Sequence, residues 1–148
     1  MSTGHAVAAA VLFTWLGMVL AISFIEAPLK FRAPGVSLQV GLGIGRLVFR
    51  ALNSVEAVLA AVVVITVGTD PPSLPVIVAI GIAVVALATQ LLVVRPRLAH
   101  RSDAVLAAPA VSAPGGGSRR SRAHYGYVGL ELVKVFALVV AGAALLGT

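Results

Sequence analysis

Apolar residues fill four runs of this chain, and the polar residues between them are few enough to follow one at a time. From Ala6 to Ala27 about 20 residues carry no charge before Glu26, enough at about 1.5 Å per residue to cross about 30 Å of hydrocarbon. Ala27-Pro28 and Ala33-Pro34-Gly35 are expected to stop this helix, because proline removes a donor and restricts the residue before it. Lys30 and Arg32 then sit in a basic turn. A second helical pattern runs from about Ser37 to Val67, longer than a bilayer needs. Its start, about 37–47, is expected to lie in the interface or to tilt, with the span itself over about 48–67. Turn residues from Gly68 to Ser73 end it and carry one charge, Asp70. Leu74 to Val94 is apolar apart from Thr89 and Gln90, which reads as a lipid-facing scaffold closed by Arg95-Pro96-Arg97. Residues 95–124 hold six arginines around an Ala/Pro/Gly/Ser-rich middle, a composition that buries no core and predicts a mobile loop. Tyr125 to about Gly147 is the fourth span, with Tyr125 and Tyr127 at the level where amphipathic rings settle.

The pattern predicts an all-α polytopic membrane protein, four transmembrane helices in an antiparallel bundle, as a single membrane domain. Basic residues follow the first and third spans, while the loop between the second and third has only Asp70. The positive-inside rule therefore predicts a cell-membrane protein with both termini outside and the arginine loop in the cytoplasm. The N-terminus has only His5 before the first apolar run and no basic n-region, so the first span is expected to be retained.

Composition supports the same class. Of 148 residues, 59% are hydrophobic and 11% charged, with a mean hydropathy of +1.06, whereas soluble domains are about 25% charged. The net charge of +6 is carried at span ends and in one loop, which membrane topology explains better than nucleic-acid binding. Without cysteine there is no disulfide framework, thiolate nucleophile or sulfur metal site.

Against this background the charges between Ser23 and Glu56 and those on the fourth span stand out, since ionisable groups beside lipid are costly unless paired or wet. At 100° per residue, Gln39, Arg46, Arg50, Asn53 and Ala57 share a narrow arc, with Glu56 at its edge. On the fourth span His124, Tyr127, Glu131, Lys134, Leu138 and Gly142 share a face, and on the first Trp15, Val19, Ser23 and Glu26 do. Counted inward from the cytoplasmic end, Glu131 lies about 5 Å deep, Lys134 about 9 Å and Glu56 about 12 Å. The candidate polar cluster is thus Glu26, Arg46, Arg50, Asn53, Glu56, Glu131 and Lys134, three acids balanced by three bases. Lys134 is the expected partner of Glu56, because Arg50 lies six residues away, off the i, i+4 spacing.

Two readings of this cluster compete. In one it is a static ion-pair network fixing helix register, with Arg46 and Arg50 snorkelling to phosphates. In the other it lines a partly hydrated, cytoplasm-facing cavity that binds an ion, a proton or a small anionic solute at Glu56.

Other motifs carry less. Gly41-Leu-Gly-Ile-Gly45 has no preceding strand and no following lysine of a phosphate loop. Gly17-x-x-x-Ala21, Gly41-x-x-x-Gly45 and Ala137-x-x-x-Ala141 have the spacing of close helix packing. His5, His100 and His124 lie at helix ends or in the loop, so neither a cofactor nor a metal site is expected. The Ser118-Arg-Arg-Ser-Arg122 run, with Arg119, Arg120 and Arg122, is a topology signal or a contact for anionic headgroups.

Trp15-x-Gly17, then Phe24, Ala27-Pro28 and Phe31, then Gly45-Arg46 and Phe49, resemble a small integral membrane family that includes the mammalian transmembrane proteins linked to platinum-drug resistance. The resemblance covers the first third of the chain and implies a four-helix membrane protein without established catalytic residues. The long loop and the Glu131/Lys134 pair have no counterpart in it.

No enzymatic activity is expected, since no catalytic triad, flanking carboxylate pair or metal cluster is present. The expected function is an accessory or structural subunit of a membrane complex, with a small transporter or channel-like protein as the alternative. The partners it predicts are the lipid bilayer and either further copies of the chain or a larger complex, with no nucleic acid.

Overall fold

The structure is a computed structural model that describes residues 2–96, 100 and 122–147. Its described residues are helical, with no strand among them, and form four helices long and apolar enough to cross a bilayer.

The first helix, α1, runs over Thr3–Val19, widens into a π-helical stretch Leu20–Glu26 and continues through Ala27–Leu29 to a 3-10 turn Lys30–Arg32. Ser2 caps it, its hydroxyl accepting from the His5 amide at 3.1 Å. Pro28 therefore does not stop the helix as expected. In an ordinary α-helix its ring would press on the carbonyl four residues back and leave it without a donor. The widened turn ahead of it, where the Ala27 amide reaches the Ile22 carbonyl, absorbs the mismatch. The stop comes instead at Ala33-Pro34-Gly35, where Gly35 takes φ +78°, a left-handed conformation open to glycine.

Helix α2, Leu38–Thr69, is continuous, with no break between the expected interfacial start and the span. The Ser37 hydroxyl accepts from the Val40 amide at its start, and Asp70 closes it. Helix α3, Leu74–Thr89, passes into a second π-helical stretch, Gln90–Val94, which lies just ahead of Pro96 as the first lies ahead of Pro28. Helix α4, Arg122–Leu146, begins three residues before the expected span. The centre of the arginine loop, including Arg119 and Arg120, lies outside the described residues.

Helix α1 packs against α2 and α4, and α4 against α1 and α3. Small residues set the approach. A Cβ at Gly45 would stand 2.9 Å from Lys30 Nζ, and one at Gly142 would stand 2.8 Å from Phe13 Cζ; one at Gly41 would overlap the Phe31 ring. Ala137 and Ala141 are buried, whereas Gly17 is exposed with open space beside it, so that pair makes no close packing. The core joins Leu12, Trp15, Val63, Val76, Ala83 and Leu138 from the four helices.

The outer surface is apolar. Leu92, Phe136, Leu74, Leu47, Val85 and Ile65 are all at least 66% exposed. The hydroxyls of Thr14, Thr66 and Thr89, on the outer faces, each donate at 2.8 Å to the carbonyl four residues back. Polar groups that face outward are thereby satisfied within their own helix.

Candidate functional site

The two ends of the bundle differ. At one, the Ser2 hydroxyl donates to Asp70, whose other oxygen lies 3.8 Å from His5 Nε2. At the other, Lys30 Nζ lies 3.2 Å from Glu26 Oε2 and over the Phe49 ring at 5.3 Å, while Phe49 meets Tyr127 edge-on at 5.6 Å. Glu26 therefore pairs with Lys30 one turn on, and does not join the central cluster. Arg50 is exposed and Arg46 half-buried, so both stay at this basic end.

The face of α2 that turns inward carries Gly41, Gly45, Leu52, Asn53, Glu56, Ala60 and Val63. Glu56 is at its middle, whereas Gln39, Arg50 and Ala57 are exposed. The inward face is rotated by about 100°, one residue's step, from the expected polar arc. Long arginines reach the outside from a helix flank, while glycine, alanine and a short buried acid fit the interior.

Between the helices lies a closed polar node. Lys134 Nζ of α4 is surrounded by three oxygens: Glu56 Oε1 of α2 at 2.5 Å, Gln90 Oε1 of α3 at 2.8 Å and Glu131 Oε2, one turn back on α4, at 3.1 Å. The Trp15 indole N–H of α1 donates to the same Glu56 Oε1 at 2.8 Å. All four helices contribute. Glu56, Gln90, Lys134 and Trp15 are fully buried and Glu131 is 1% exposed, so the node is sealed. Its geometry suits an ammonium, which has three hydrogens and no acceptor.

Of the seven expected members, the node takes Glu56, Glu131 and Lys134, with Asn53 buried one turn before Glu56. Glu26, Arg46 and Arg50 stand apart, so the expected balance of three acids and three bases becomes two carboxyls against one ammonium. Gln90 and Trp15 complete it. The third span is consequently more than a lipid-facing scaffold: Gln90 opens the π-helical stretch and points its carbonyl at Lys134. Tyr125 is exposed, but Tyr127 turns inward on the face of Glu131 and Lys134. One signal for Gln90 is in the sequence, a lone amide within an otherwise apolar run.

Several buried polar atoms of this region make no hydrogen bond: Glu56 Oε2, Glu131 Oε1, Gln90 Nε2 and both amide atoms of Asn53. No group of three or more metal-ligating side chains occurs among the described residues. A shallow apolar hollow outside the node is lined by Val78, Ile82 and Val85 of α3 and by Leu130 and Val133 of α4. Comparison with protein-family models, with curated proteins and with solved structures finds no match.

Proposed function

We propose that this chain is a multi-pass protein of the cell membrane, an antiparallel four-helix bundle with both termini outside, and that it acts without enzymatic activity as an accessory or structural subunit of a membrane complex. The observation that carries the reading is the sealed node: the Lys134 ammonium and the Glu56 carboxylate it holds together join groups from all four helices, and none of these side chains reaches the surface. Charged groups arranged this way serve the register of the bundle. The apolar outer surface, with its back-bonded hydroxyls, supports the bilayer as surroundings. The gathering of Lys30, Arg32, Arg46 and Arg50 at one end, against Asp70 at the other, supports the arginine loop in the cytoplasm.

A cysteine introduced at Ser73 is expected to react with an impermeant thiol reagent in intact cells, and one at Ser112 to be protected. The reverse pattern overturns the orientation. Purification in mild detergent tests the role: a larger partner at fixed stoichiometry supports the accessory subunit. A homo-oligomer that moves solute in liposomes replaces it with the transporter or channel reading.

A further inference from the structure

Inside the node the charges do not cancel. Among the described residues the sealed set is Glu56, Glu131 and Lys134, two carboxyls and one ammonium, each at most 1% exposed. Fully ionised, it would hold one uncompensated negative charge away from water, which a low-dielectric interior does not tolerate. Among the described residues Lys134 is the cation that the two carboxyls share, and the charge of Arg95 reaches Tyr127 beside them. From α1 the node meets the Trp15 indole, and Glu26 is engaged by Lys30. From α2 come Asn53 and Glu56, with Arg46 and Arg50 towards the basic end, half-buried and exposed. From α3 come Gln90 and, nearer the end, the half-buried Arg95; from α4 come Tyr127, Glu131 and Lys134.

The polar atoms left over point the same way. Glu56 Oε1 receives both the indole and the ammonium, while Glu56 Oε2 and Glu131 Oε1 are buried without a hydrogen bond. Both amide atoms of Asn53, on the Glu56 face of α2, are also unpartnered, as are two donors of the node, Gln90 Nε2 and the Tyr127 hydroxyl. Unspent acceptors beside an excess negative charge are the arrangement that a proton completes: as a carboxylic acid, one of the two side chains gains a donor and loses its charge together.

We propose that the node is a proton-binding site: one proton is held within the Glu56–Glu131 pair, making the sealed set neutral with Lys134. The proton belongs to the pair, since both carboxyls face the same ammonium. The site rests on the bundle described above and gives it a chemical dependence: removal of the proton leaves a sealed negative charge among α2, α3 and α4, and the node must open or admit a cation.

Infrared spectroscopy of the full chain in lipid vesicles tests this, because the carbonyl stretch of a carboxylic acid is distinct from the bands of a carboxylate. The chain has only five acidic side chains, so the background is small. The wild type at neutral pH is expected to show the band of one protonated carboxyl. Glu56→Gln and Glu131→Gln should each abolish it, since either leaves one carboxylate matched to Lys134, and Lys134→Met should double it. Absence of the band from the wild type at neutral pH overturns the proposal, as does a band that survives either single glutamine substitution. Where a variant fails to fold, the wild type decides alone: the band must be present at neutral pH and vanish on alkaline titration. Flotation of the protein with the vesicles tests the bilayer reading separately, so that a chain that fails to float refutes the membrane placement and leaves the proton count untouched.

Discussion

Trp15 and Lys134 come from the first and last helices and donate to one and the same oxygen, Glu56 Oε1, at 2.8 and 2.5 Å. The indole N–H has no other use for its hydrogen at a fully buried position, and the ammonium needs an anion. One oxygen of α2 thereby fixes the rotation of α1 and of α4 about their own axes.

Removing the ammonium should be the most damaging single change. Lys134→Met strands two buried carboxyls and is expected to cost about 3–5 kcal/mol, read as a lowered thermal midpoint in detergent. Adding Glu56→Gln to it should recover part of the loss, because one of the two stranded carboxyls is then an amide while Glu131 stays without its cation. If the double variant is no more stable than Lys134→Met alone, the pair is not the seat of the loss.

Trp15→Phe keeps an aromatic ring at the core but withdraws a donor from a buried carboxylate. Its expected cost is about 1.5–3 kcal/mol. Trp15 is also the chain's single tryptophan, so its fluorescence reports the node directly. Emission of the intact protein should resist quenching by a polar quencher such as iodide, and Glu56→Gln should make it more accessible.

Gln90→Leu removes one of the three oxygens around Lys134 and should cost about 1–3 kcal/mol. Were α3 a passive lipid-facing helix, the same change would be neutral or stabilising in detergent. Thermal unfolding of this one variant therefore separates the two views of the third span.

At the basic end, Gly41→Leu should force the Phe31 ring from its seat, at an expected cost of about 1–3 kcal/mol for overpacking. Gly17→Ala, where nothing stands within 4 Å of the added Cβ, should be close to neutral. Parallel thermal midpoints of the two variants distinguish glycines that set helix approach from those that do not.

The helical class was legible because four long apolar runs and the turns between them are one-dimensional features. The proximity of Glu56 and Lys134 was legible for a related reason: depth along a helix can be counted from residue number alone. What could not be counted was rotation. The basic residues of α2 drew the expected arc towards Arg46 and Arg50, whereas the small residues Gly41, Gly45 and Ala60 decide which face turns inward. Glu26 and Lys30 satisfy each other within one helix, so their local pairing removed Glu26 from the shared count. Gln90 was hidden by the apolar company it keeps. Neither π-helical stretch announces itself, since a widened turn becomes intelligible only with the proline that follows it.

Those widened turns make chain length a structural variable of its own. A π-helical turn accommodates extra backbone relative to the α-helix, and each residue carries about 100° of rotation with it. Deleting a single residue between Leu20 and Glu26 would remove that extra backbone and press the Pro28 ring on the carbonyl four residues back, with almost no change in the composition of the segment. It would also swing Lys30 and Phe31 off Gly45 and Gly41, and so unseat the join between α1 and α2 while leaving Trp15 where it is. In this protein a silent-looking shortening of a greasy segment is thus a frameshift in space: the residues before it keep their neighbours, and everything beyond the deletion faces the wrong one.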